Sequence, residues 1–430
     1  MKRVVAFAAF AALALYCVLV TAVVMSPLNP FGNGGWVTKG GDYMLRMTEV
    51  DCLLRGVNPY DVWHGDIVLK PYVPNYGEPC RAVECKEGFT EQINAYAPWE
   101  YIMMMPFALM PRTFSWIFYF ALMMAGLGLL VHLGRSFGLA FSGRGREVAI
   151  IVGVAPVLLS GLPIYQNFHA GNLSVPVLVA AALMAVCLNR RRDALAGVCW
   201  AFAMLKPQLG LIFAVPLLME RRFLTCAVAA GVCLGLTCVA ALICHASPVV
   251  LILQTPAANT FAFMGCGTYP YFMCGWLPGN LGIVAGVLAG AVLCFLLTRW
   301  LARAGVGNWF VLLMPAAVMG ASWTYAQCYS FTMNWFFFLV LVAALVKWPQ
   351  SRSLWCIAAL SVPLMTRVYN LVHTLAGLLP GYTVRPDESW HYHVDSLVTT
   401  ASLAVLVAFC ACLTGKLHKR IERESSDVQV

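Results

Sequence analysis

Residues 190–222 read RRRDALAGVCWAFAMLKPQLGLIFAVPLLMERR, an apolar segment closed at both ends by arginines and broken near its middle by Lys206-Pro207. The part between the basic clusters is too short for two full membrane crossings of about 20 residues each and too long for one straight crossing. A proline disfavours helical geometry at the residue before it, so 194–219 is expected to form a hairpin of two short half-helices meeting at Lys206-Pro207. Lys206 then stands at membrane depth, where a cation is costly and by default marks a site. The plainer account has its long stem snorkelling to an interface.

The surroundings of this hairpin are equally apolar. Of 430 residues, 61% are hydrophobic and 11% charged, against about 25% charged in soluble domains. Uncharged runs such as 4–25 (VVAFAAFAALALYCVLVTAVVM) are long enough to cross hydrocarbon. No alternating barrel pattern appears, and lipid leaves backbone groups only the helix. The expectation is one all-α polytopic membrane domain over 1–430. About ten full spans are expected, near 4–25, 114–134, 147–164, 173–189, 223–245, 281–302, 309–326, 330–347, 353–376 and 395–414. Met1-Lys2-Arg3 precedes a first span that reads as uncleaved, because its exit VVMSPLNP lacks a small-x-small site.

Arg135/Arg144/Arg146, Arg190–Arg192, Arg221/Arg222, Arg299/Arg303, Lys347/Arg352 and Lys416/Lys419/Arg420 fall on one side of these spans. The positive-inside tendency makes that side cytoplasmic, so both termini, including the 415–430 tail, are expected in the cytoplasm of a plasma (inner) membrane protein. The net charge of +9 is thereby spent on stop signals scattered between spans, which excludes a nucleic-acid partner.

The polar part is the first outer segment, 26–100, which holds ten of the 19 acidic residues; a second outer loop covers 246–280. Cys80 can pair with Cys85 or with Cys52, and Cys266 with Cys274, but spacing does not fix the connectivity. From Asp42, residues Tyr43, Met44, Met47, Val50 and Leu54 recur at helical spacing, with glycines at 40, 41 and 56, which describes a short amphipathic helix. Asp42 either caps that helix or, near the outer lipid surface, takes a proton from a sugar hydroxyl as a general base. Arg46, one turn on, serves either to bind phosphate or to pair with Asp42. Glu49 and Asp51, two apart on a helix, point away from each other, so no metal and no other cofactor is expected. Gln166, Asn167, His169 and Asn172 gather at a span boundary, either as an interfacial loop or as donors for a phosphate leaving group. His373, His391 and His393, with Trp390 and Tyr392, read as an interfacial belt.

Four segments carry a family resemblance. GGDYMLRMTEVDCLLRGVNPYD (40–61) resembles the first outer loop of glycosyltransferase family 87. YAPWEYIMMMPFALMP (96–111) resembles that family's Tyr-x-Pro with spaced prolines. HAGNLSVPVLV (169–179) resembles its Gly-Gln-x-Asn segment, with Asn172 and Ser174 standing where the family usually has Gln and Asn. GVCWAFAMLKPQLGLIFAVPLLMERR (197–222) resembles its lysine-proline hairpin. The resemblance covers about the first half of the chain. It implies a GT-C-like fold and inverting transfer of a mannose- or arabinofuranose-like sugar from a polyprenyl-phosphate donor to a lipid- or glycan-linked acceptor on the outer side. It makes Asp42 the catalytic base; with residue chemistry added, Arg46, Asn58, Tyr60, Gln166, His169, Asn172 and Lys206 form the expected substrate-binding set. The competing readings are a secondary transporter, against which stands the lack of a second broken segment in 220–430, and a polysaccharide ligase or polymerase.

Overall fold

The computed structural model describes residues 41–64, 96–139, 167–168, 171–259, 273, 276–277, 279–323, 328–366 and 400–418. All regular elements among the described residues are helical. The first part of the described chain contributes α1 (Gly41–Leu54), α2 (Pro59–His64) and α3 (Pro98–Ala108), followed by the long α4 (Arg112–Leu139). Next come α5 (Ser174–Asn189), α6 (Asp193–Ala203), α7 (Pro207–Gly210), α8 (Ala214–Met219), α9 (Phe223–Ile243), α10 (Pro248–Asn259) and α11 (Gly279–Arg303). The later part holds α12 (Trp309–Leu312), α13 (Met314–Gly320), α14 (Asn334–Lys347), α15 (Arg352–Thr366) and α16 (Thr400–His418).

Four of these stretches are long and apolar enough to cross a bilayer: Phe114–Gly134, Phe223–Ile243, Leu281–Arg303 and Thr400–His418. Expected spans 4–25 and 147–164 lie outside the described residues, as does the end of 353–376. Expected spans 173–189, 309–326 and 330–347 become shorter apolar helices, Ser174–Asn189, Trp309–Gly320 and Phe331–Lys347. The reason is local. Pro315 enters at the start of α13 and a 3-10 turn (Cys328–Met333) precedes α14, so the chain bends where hydropathy alone reads two straight rods. Sequence periodicity therefore missed a second broken segment.

The two broken segments meet. A Cβ on Gly320 would lie 3.0 Å from the Leu209 carbonyl, a tight contact, so glycine there eases the close approach of α13 to the tip of the first hairpin. Helices α5 and α14 are buried over most of their length and form the interior. Ala180, Ala181, Ala182 and Ala185 give α5 the small surfaces that let neighbouring backbones close in.

The hairpin 193–219 turns at Lys206, whose φ of −128° and ψ of 87° are the extended geometry a following proline imposes. Breaking a helix frees carbonyls that lipid cannot satisfy. Three tryptophans take them: Trp99 Nε1 donates to the Met204 carbonyl at 2.8 Å, Trp200 Nε1 to that of Gly210 at 2.8 Å, and Trp323 Nε1 to that of Gln208 at 2.6 Å. The hairpin is anchored from α3, from within itself and from the late half of the chain.

Candidate functional site

Asp42 lies in the first turn of α1 and is half-buried. Its helix is fixed by the next residue. Tyr43 packs on Trp116 and Tyr119 with ring centroids 5.2 and 4.7 Å apart, and its hydroxyl is hydrogen-bonded to Ser115. Tyr119 in turn donates to the carbonyls of Gly171 and Asn172, at 3.2 and 3.3 Å. One aromatic cluster on α4 thus holds both α1 and the loop before α5.

Gly171 makes that approach possible. Its φ is +70°, and a Cβ there would fall 2.5 Å from Tyr43 Cβ and 2.7 Å from Trp116 Cζ3. With the loop pressed this close, Asn172 Nδ2 donates to Asp42 Oδ2 at 2.7 Å. The other end of the same amide accepts from Lys206 Nζ at 2.9 Å, from the Ser174 hydroxyl at 2.8 Å and from the Ser174 backbone N–H at 3.1 Å. Lys206 Nζ also donates to Ser174 Oγ at 3.0 Å. Only this amide orientation serves both neighbours, since the reverse would aim an NH2 at an ammonium and a carbonyl at a carboxylate. Asn172, Ser174 and Lys206 are all buried. A carboxylate, an amide and a buried cation, drawn from three separate parts of the chain, form one relay.

Arg46 turns away from Asp42. It pairs with Glu49 and lays its guanidinium 3.9 Å over the Tyr96 ring. Behind it sits Glu100, wholly buried, with neither carboxyl oxygen meeting a hydrogen-bond partner among the described residues. Burial pushes the Glu100 carboxyl well above the usual range; Arg46 and Lys206 pull it back and Glu49 pushes it further. Burial also pushes Glu49 up to about 7, against the pull of Arg46. Two carboxyls of raised pKa around one guanidinium make a proton-holding cluster beside the relay. Glu100 was legible only as a lone carboxyl two residues after Pro98, heading the uncharged stretch 101–111.

Asn58 and Tyr60 engage the protein itself. Asn58 Nδ2 donates to Asp61 at 2.9 Å and to Gln254 at 3.1 Å, while its Oδ1 accepts from the Tyr60 N–H at 3.1 Å. Tyr60 Oη donates to the Tyr96 carbonyl at 2.6 Å and meets Thr255 Oγ1 at 3.0 Å. These bonds clamp the end of the α1–α2 segment to α10. Gln166 and His169 lie outside the described residues, as do Cys80, Cys85, Cys266, Cys274, His373, His391 and His393. Asn167 is described, and its Nδ2 donates to Thr332 Oγ1 at 2.7 Å, tying the site loop to the second broken segment. Among the described residues no group of three or more His, Cys, Asp or Glu could hold a metal.

Residues 94–264 match glycosyltransferase family 87. The family 87 resemblance read from the sequence is borne out over that segment, which contains Glu100, Asn172, Ser174 and Lys206. Asp42, Arg46, Asn58 and Tyr60 precede it. Family 87 indicates glycosyl transfer, with a sugar donor and an acceptor as substrates, carried by a chain with several membrane-length helices. No curated protein and no solved structure matches.

Proposed function

We propose that the chain is an inverting GT-C-type glycosyltransferase of a plasma (inner) membrane, with about ten spans and cytoplasmic termini. It moves a mannose- or arabinofuranose-like sugar from a polyprenyl-phosphate donor to a lipid- or glycan-linked acceptor on the outer side. The observation that carries this reading is the Asp42–Asn172–Lys206 relay, because it holds a half-buried carboxylate through a neutral amide. A direct guanidinium pair would occupy the same oxygens, and Arg46 is committed to Glu49 instead.

In the reaction the acceptor hydroxyl oxygen bonds to the anomeric carbon on the face opposite the phosphate. Its proton passes to Asp42, and the bond from the anomeric carbon to the phosphate oxygen breaks with its electron pair leaving on polyprenyl phosphate. Lys206 is a positioning residue here: buried and bonded to Asn172 and Ser174, it fixes the amide that aims Asp42 and contributes positive potential where the leaving group gains charge. Asn172 aims the base, Arg46, Asn58 and Tyr60 hold its helix and loop, and Gln166 and His169 are the donor-side contacts.

Membranes given radiolabelled polyprenyl-phosphate sugars should transfer label with the wild type and lose about 10²- to 10⁴-fold with Asp42→Asn or Asp42→Ala at equal expression. Undiminished turnover in Asp42→Asn leaves Asp42 as a helix residue only. The meeting of two broken segments is the feature this chain shares with secondary transporters. Solute uptake into vesicles without any turnover would favour that second reading.

A further inference from the structure

Because the first hairpin is broken, α8 is a short helix lying beside the full-length α11. Between them runs a groove of about 340 Å³ lined by Val215, Leu218, Met219, Leu288, Val292 and Phe295. Leu218, Leu288 and Val292 are 51%, 58% and 54% exposed, within the depth of the candidate span Leu281–Arg303, so the groove opens onto hydrocarbon. Its volume is that of a small apolar ligand site.

One end of the groove is basic. Arg221 follows Met219 by two residues, and Arg299 follows Phe295 by one helical turn with its guanidinium 5.7 Å from that ring. Arg303 lies one turn beyond Arg299, and all three arginines are exposed. Arg222 belongs elsewhere: it pairs with Asp193 at 3.3 Å and stands 5.2 Å from the Trp309 ring. Glu220 is the acidic neighbour, half-buried, and leaves the end net positive.

We propose that this groove binds an anionic phospholipid, one acyl chain lying between α8 and α11 and the phosphate headgroup resting on Arg221, Arg299 and Arg303. An apolar slot alone takes any lipid chain, whereas arginines gathered at its mouth select the headgroup charge. The site lies at the arginine-bearing end of the hairpin, away from the Lys206 break, so it is a resident-lipid site separate from the relay.

The test uses the full chain in detergent, incubated with equimolar dioleoyl-phosphatidylglycerol and dioleoyl-phosphatidylcholine and repurified, with retained lipids counted by mass spectrometry of the intact complex. Phosphatidylglycerol should be enriched about tenfold, each arginine adding a several-fold preference. The triple variant Arg221→Gln/Arg299→Gln/Arg303→Gln should bring the ratio near one while still retaining lipid. Val292→Trp, which fills the groove and leaves the arginines, should lower retention of both lipids. All these positions are exposed, and unchanged elution confirms that the variants fold. Equal retention of the two lipids by wild type, or an enrichment that survives both variants, overturns the proposal.

Discussion

Replacing Asn172 with leucine removes the amide between base and cation while keeping an apolar side chain of similar size. Asn172 donates to Asp42 at 2.7 Å and accepts from Lys206 at 2.9 Å, and a hydrogen bond to a charged partner contributes about 1.5–3 kcal/mol. Lys206 keeps its 3.0 Å bond to Ser174 Oγ, so the loss falls toward the lower end of the summed range, about 3 kcal/mol. Thermal unfolding in detergent reads that loss. Turnover per folded molecule should fall about ten- to a hundredfold, part of the 10²–10⁴ that a general base supplies, because Asp42 remains but is no longer aimed. Asn172→Asp is a harsher change, because it puts a second carboxyl within hydrogen-bond distance of Asp42 and the pair then shares one proton, so turnover should fall even though Lys206 keeps an acceptor. If Asn172→Leu turned over within about twofold of wild type at saturating donor, the contact to Asp42 would not be orienting a base and the relay argument would fail.

Glu49 carries a pH dependence. Its carboxyl rises from 4.5 to about 7 on folding, so between those values the folded state holds more proton than the unfolded one, and stability falls as pH rises through the window. The contribution is about 3 kcal/mol, complete below pH 4.5 and gone above 7, and Glu49→Gln should flatten the fall of Tm from pH 5 to pH 8. Gly171→Ala should cost more than 3 kcal/mol and abolish turnover, since its Cβ would sit 2.5 Å from Tyr43 at a φ of +70°; a stable, active variant would mean that the loop is not pressed onto α1. Tyr60→Phe should lower Tm by the equivalent of about 1–3 kcal/mol through loss of its bonds to Tyr96 and Thr255. It should change kcat more than KM, because the tyrosine holds the loop and does not contact substrate in this reading; a KM-only effect would return it to the binding set.

Much of this molecule is readable along the chain, because hydrocarbon imposes one solution on the backbone: apolar runs at 114–134, 223–245 and 281–302 correspond to long apolar helices. The break at Lys206 is legible too, since proline constrains its neighbour without reference to anything distant. What a linear reading could not deliver is the second broken segment. Hydropathy measures transfer to lipid, and residues 309–347 are as apolar as a pair of spans although most of them are buried against protein. Nor could it decide partners. Arg46 lies one turn from Asp42 and is equally placed by spacing to pair with it or with Glu49; the stacking of its guanidinium on Tyr96 settles that choice. Asn172 and Lys206 are candidates by type, but their junction with Asp42 depends on Gly171 admitting Tyr43 and Trp116 at distances no other residue permits. Glu100 is an ordinary carboxyl until α1, α3 and the hairpin close over it and remove its water. Local steric rules and solvent transfer act on neighbours in sequence and can be read there, whereas burial, charge pairing and hydrogen-bond direction depend on what the folded chain brings within a few ångströms.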